Sequence, residues 1–261
     1  MALKRPLFLI FAFCFLIFDL QSADPPSRYA TVDGIRVHYQ SVGKGSPAVV
    51  FIHGWTCDLT FWRLNAPAVA AGHRVLLVDL PGHGRSDKPP VDYTLSLFAR
   101  GVEAVLRDAR VEKAILVGHS MGGPVALKFL RLFPSKVEGF VAVDSRFAQP
   151  PPADAAEAEK RAARFAAFAK QYRNPDYKDV AGKMIEAMFV PATTPAVREE
   201  IRSKMLATPQ HVMASAMEGM GELSTWKLDP IPVPTLSIAA RNPQLTPEVE
   251  KLARSFIPRL D

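Results

Sequence analysis

Apolar and polar residues change rhythm three times along the chain. From Tyr29 to Gln40 they alternate around Asp33-Gly34, a pattern that predicts a β-hairpin. Continuous apolar runs follow at Ala48–Ile52, Arg74–Asp79, Ile115–Val117 and Val137–Asp144. Such β-branched runs are expected of strands buried on both faces. Between them the spacing predicts helices over Phe61–Ala71, from a Thr94 cap to about Asp108, and over Val125–Phe133. At Pro150-Pro151-Pro152 the buried-strand pattern stops, and until about Trp226 it is replaced by four helical segments. These are Asp154–Arg173, Asp179–Phe189 and two more, opening at Thr194-Pro195 and Thr208-Pro209 with threonine as N-cap and proline at the first helical position. Val233–Ala240 resumes the strand pattern, and Thr246-Pro247 opens a last helix that ends near Phe256.

Buried strands alternating with helices predict an α/β fold: a doubly wound, mostly parallel sheet with an antiparallel hairpin at one edge. The body comprises residues 24–149 and 227–261. The helices of 150–226 form an insertion that folds over the strand ends as a lid. Six methionines (184, 188, 205, 213, 217 and 220) concentrate there, either lining an adaptable apolar surface or packing the lid onto the body.

The first 23 residues stand apart. Lys4 and Arg5 precede an apolar run from Leu7 to Phe18, which Asp19 breaks. The run is short for a membrane span of about 20 residues and fits a signal peptide. A secreted or periplasmic protein is expected, with no stable membrane span after cleavage. Retention by an uncleaved signal is the alternative.

Composition narrows the chemistry. The chain has 261 residues, enough for one large α/β domain, and 48% of them are hydrophobic. The net charge of +6 is spread among acidic residues with no basic run interleaved with aromatics, so no nucleic-acid partner is expected. Of the two cysteines, Cys14 lies in the signal segment and Cys57 is left alone, so no internal disulfide is expected. The six histidines show no metal-ligand spacing, and neither metal nor cofactor is expected.

The stretch that carries chemistry is Gly118-His119-Ser120-Met121-Gly122, between a predicted strand and a predicted helix. Its glycines permit a very sharp turn with Ser120 at the tip. The helix N-terminus beside it presents unpaired N–H groups, which suit a developing oxyanion. Gly-x-Ser-x-Gly is a weak signal by itself. His53-Gly54-Trp55, Asp79, Ser120 and Asp144 all fall at the carboxyl ends of predicted strands, where sites of parallel sheets lie, and this convergence is the stronger argument.

His53-Gly54-Trp55, the run from Asp79 to Ser86 (DLPGHGRS) and the run from Gly118 to Gly123 (GHSMGG), in that order, make the chain from Tyr29 onward resemble the α/β-hydrolase superfamily, in its lidded serine esterase and lipase-like branch. The resemblance implies Ser120 as nucleophile, with the backbone N–H groups of Met121 and Trp55 as the oxyanion hole. It implies bracing roles for His83, Asp79 and Arg85, and a structural role for His119. Two departures stand out. Where relatives place the triad acid, this chain has Asn242. Glu248 and Glu250 fall in the next helix, so Asp144, at the end of the preceding strand, is expected to substitute. The family's catalytic histidine follows one more strand, and none of the six histidines takes that place; His211 lies in the lid. A C-terminally truncated copy is therefore expected, its last strand, histidine and closing helix missing, poorly active and poorly stable alone.

The activity so implied is hydrolysis of a carboxylic ester of a small to medium apolar molecule through an acyl-enzyme. Lactone, thioester, amide and carbon–carbon bonds yield to the same machinery. A serine nucleophile argues against dehalogenase and epoxide hydrolase chemistry. Two alternatives stay open: a cofactor-free haloperoxidase on the same triad, and a non-catalytic, ligand-binding member.

Overall fold

Asp33 and Gly34 adopt φ of +48° and +80°, the left-handed pair that a two-residue hairpin turn needs. They join β1 (Arg28–Val32) to β2 (Ile35–Val42) with Val32 opposite Ile35. The computed structural model describes residues 25–145, 152–222, 225, 230–239, 251, 254 and 255. The expected signal peptide (residues 1–23), Asn242, Glu248, Glu250 and nearly all of the predicted last helix lie outside these residues.

The apolar runs form β3 (Ala48–Ile52), β4 (Val75–Val78), β5 (Ala114–His119), β6 (Val137–Val143) and β7 (Thr235–Ile238). Together with the hairpin they make one seven-stranded sheet in the order β1-β2-β4-β3-β5-β6-β7. β2 pairs antiparallel with β1 and β4, and the rest is parallel. Both faces are covered. Val50 and Ile52 point into one apolar cluster, Val49 and Phe51 into the other, which is why β3 carries no polar residue. From β3 the chain crosses to β4 on one side and returns to β5 on the other. The ends of β3 and β5 therefore flank a crevice at the switch point.

Helix α2 (Leu95–Asp108) starts where Thr94 Oγ1 accepts the Leu97 N–H, and α3 (Gly122–Leu132) packs beside it. The single helix expected over Phe61–Ala71 does not form. Asp58 instead caps a 3₁₀ turn, Leu59–Trp62, and a separate short helix, α1 (Ala66–Ala70), follows. In one continuous helix Pro67 would be interior, with no N–H to donate and a ring clashing with the preceding turn; here it sits in the first turn of α1.

Four helices lie between β6 and β7: α4 (Ala155–Gln171), α5 (Tyr177–Glu186), α6 (Pro195–Leu206) and α7 (Gln210–Gly219). Asp154 caps α4 by accepting the Glu157 N–H. Thr208 does not cap α7: Pro209 takes that place, and Thr208 Oγ1 donates to the Thr56 carbonyl 3.2 Å away. The methionines divide between packing and exposure. Met205, Met213 and Met217 are buried in the same cluster as α2 and α3 and pack the lid onto the body, while Met188 is 53% exposed. The lid is tied down near its end by Lys128 of α3, whose Nζ lies 2.5 Å from Glu222 Oε1, and Glu222 also accepts from Ser96 of α2. No described helix is long and apolar enough to cross a membrane.

Candidate active site

At the end of β5 the chain turns into α3 through Ser120, whose φ is +50°. A non-glycine residue held there stores on the order of 1 kcal/mol of strain. The turn is this tight because the backbones touch: a methyl at Gly118 would overlap the Gly122 carbonyl, and one at Gly122 the Ile52 carbonyl. Three bonds hold it. Ser120 N–H donates to Val143 O (3.1 Å), while Ser120 O accepts from Gly123 N (3.1 Å) and Ser145 Oγ (2.6 Å). The side chain is left exposed above the strand ends. Ser120 Oγ has no hydrogen-bond partner among the described residues.

The loop after β3 lies against this serine. A methyl at Gly54 would sit 3.3 Å from Ser120 Cβ and 3.2 Å from His119 Nδ1. The backbone N–H groups of Trp55 and Met121 meet no acceptor among the described residues. His53 supports the loop from below. Its Nδ1–H donates to Gly54 O (2.8 Å), and its Nε2 accepts the Leu80 N–H (3.0 Å). That pattern fixes the neutral tautomer, and full burial lowers its pKa. His83 packs beside it with ring centres 5.1 Å apart and donates from Nδ1 to Pro81 O; burial drives its pKa down to about 3. Asp79 accepts from Leu59 N (2.7 Å), Arg85 N (2.9 Å) and His38 Nδ1 (2.7 Å). Burial would push this carboxyl up, but the His38 bond, the adjacent His53 and the two backbone donors together hold it below its ordinary value.

The lid grips the same loop from above. Trp55 Nε1 donates to Met213 O of α7 (3.0 Å), and its ring packs 4.9 Å from that of Tyr172, at the end of α4. Thr208 Oγ1 holds the carbonyl of Thr56, itself at φ +57°.

Asp144 ends β6, beside Ser120. Its N–H donates to Ile238 O of β7 (2.7 Å), its φ is +41°, and its exposed carboxylate makes no ion pair among the described residues. Its charge raises the pKa of His119, but burial of that ring outweighs it and the net shift is downward. None of the six histidines reaches Ser120 Oγ. His38 faces Asp79, and His53 and His83 brace loops as described. His73 bonds Pro47 O, His119 packs edge-on to Trp62 at 6.2 Å, and His211 Nε2 donates to Lys88 O. Sequence reasoning missed Thr208, Tyr172, Ser145 and His38, because nothing in their spacing ties them to residues 56, 55, 120 and 79.

A family model described as the alpha/beta hydrolase fold matches residues 47–247. An uncharacterized protein of Mycobacterium bovis is 37% identical over 123 residues, which are 47% of this chain and 36% of that protein. The chain thus spans about a third of that curated relative's length. Among solved structures, a hydrolase from Pseudomonas aeruginosa superposes with TM-score 0.74 at 26% identity, covering 91% of this chain and 89% of that one. A thermophilic esterase from Thermogutta terrifontis gives TM-score 0.74 at 27% identity, covering 90% and 88%.

Proposed function

The chain belongs to the α/β-hydrolase fold family, and on that footing we propose that it is a serine hydrolase cleaving the carboxylic ester of a small to medium apolar molecule. One observation carries the reading. Ser120 is held at φ +50° with its oxygen exposed, beside two backbone N–H groups that have no acceptor among the described residues. Ser120 Oγ attacks the ester carbonyl. The Trp55 and Met121 N–H groups take the oxyanion, the alcohol leaves, and water releases the acyl group. Asp144, one strand over, is the carboxylate that orients an imidazole base. The likeness to a solved esterase supports the bond type.

No histidine of the chain stands between Ser120 and Asp144. Weak turnover is therefore expected of these 261 residues, and added imidazole is expected to raise it. The test is p-nitrophenyl butyrate hydrolysis with and without imidazole. The reading predicts a rate that imidazole increases and Ser120→Ala removes. An equal rate in Ser120→Ala overturns it. That none of the six histidines present reaches Ser120 Oγ supports a second reading, in which these residues bind a ligand without turnover. Saturable binding of the ester with no Ser120-dependent release of p-nitrophenol, even with imidazole, would select it.

A further inference from the structure

Away from Ser120, a second serine, histidine and aspartate form a hydrogen-bonded relay. Exposed Ser27, just before β1, places its Oγ 2.9 Å from His38 Nε2. His38, buried in β2, places Nδ1 2.7 Å from Asp79 Oδ2. Because the Asp79 carboxylate accepts, Nδ1 carries the hydrogen, and in the neutral ring Nε2 accepts from the serine hydroxyl. Asp79 is itself held by the Leu59 and Arg85 N–H groups, which fixes the orientation of the ring. Arg85 Nη1 donates to Ser27 Oγ (3.0 Å), and its guanidinium meets no carboxylate among the described residues. It therefore has donors left for a developing oxyanion. His38, Asp79 and Arg85 line a cavity of about 980 Å³, whose described lining residues include Pro25 and Pro26, next to Ser27 in the chain, but not Ser27, Ser120 or Met121. Lys88 lines it too, bonded to the Gly84 and Ser86 carbonyls rather than to a carboxylate.

We propose that Ser27 is a second nucleophile, which accepts the acyl group of an activated ester carrying a negative charge. His38 is its base, Asp79 orients the base, and Arg85 is the cation beside the reacting oxygen. In the step, Ser27 Oγ bonds to the acyl carbon and its proton passes to His38 Nε2. The ester C–O bond then breaks, and the leaving oxygen takes that proton. Arg85 and Lys88 favour the negative charge. The inference goes beyond the Ser120 reading and does not rest on it.

The test is an aryl fluorophosphonate reacted with full-length Ser120→Ala protein, followed by peptide-resolved mass spectrometry. With this probe Oγ–P forms, P–F breaks, fluoride leaves and the proton goes to His38. The expected result is an adduct on the Ser27 peptide, lost in Ser27→Ala/Ser120→Ala and formed at least tenfold more slowly in His38→Gln/Ser120→Ala. His38 is buried and its variant can fail to fold, so Arg85→Gln/Ser120→Ala, altered at an exposed residue, is measured in parallel and is also expected to slow labelling. No adduct on Ser27, or labelling at the same rate in Arg85→Gln/Ser120→Ala, overturns the proposal. A relay that merely pins the chain onto β2 would give that result.

Discussion

At the scale of single residues, the site depends on close approach. Gly54 faces Ser120 so closely that one methyl group would press on Ser120 Cβ at 3.3 Å and His119 Nδ1 at 3.2 Å. Gly54→Ala is expected to lower Ser120-dependent ester cleavage roughly tenfold, since small displacements of reacting groups carry large kinetic cost, while circular dichroism stays unchanged. Equal rates would show that the loop has slack. The buried histidines make a pH prediction. His83 has its pKa pushed from 6.5 down to about 3 by burial, so the unfolded chain binds this proton more readily. Its contribution to stability is complete above about pH 6.5 and is lost as pH falls toward 3, at up to about 1.4 kcal/mol per pH unit. His53 and His119, also shifted down, act in the same direction. The urea midpoint is expected to fall between pH 7 and pH 4.5, with a shallower slope in His83→Phe. A variant slope equal to that of the wild type would contradict this. Ser120 could be found in the sequence because its turn needs glycines on both sides. The His38–Asp79 bond could not, since it joins residues 41 apart through packing alone.

At the scale of elements, the four helices between β6 and β7 bear on the loop after β3. Tyr172, Met213 and Thr208, from three parts of this helical region, converge on Trp55 and Thr56, the loop that carries one proposed oxyanion donor. Thr208→Val and Tyr172→Ala are expected to lower kcat for p-nitrophenyl butyrate more than they raise KM, because the loop is needed most in the transition state. A change in KM alone would limit these residues to substrate binding. Glu222→Gln removes one carboxylate partner of the largely buried Lys128. Its expected cost is about 3 kcal/mol, at the low end for a buried ion pair because Glu222 keeps some exposure, and is read from urea unfolding; a loss below about 0.5 kcal/mol, as for an exposed pair, would contradict it. Helix starts were legible where a cap writes itself locally, as at Thr94 and Asp154. Thr208-Pro209 has the same local signature, yet the threonine hydroxyl is used by Thr56, a tertiary choice that no local pattern records.

At the scale of the molecule, the alternation of buried runs and helices was enough to read a mostly parallel sheet with a hairpin at its edge. Strands buried on both faces have little room for polar residues. The order of strands was not legible, because crossing from β3 to β4 and back to β5 leaves no mark in the spacing. The sheet brings Gly54, Ser120 and Asp144 to the ends of three neighbouring strands, and the account rests on Ser120 as the nucleophile there. The most direct measurement is prolonged reaction of the wild-type protein with an aryl fluorophosphonate, resolved peptide by peptide against Ser120→Ala. The account predicts an adduct on the Ser120 peptide that the substitution removes. A wild-type protein unmodified at Ser120, yet still hydrolysing p-nitrophenyl butyrate, would contradict it.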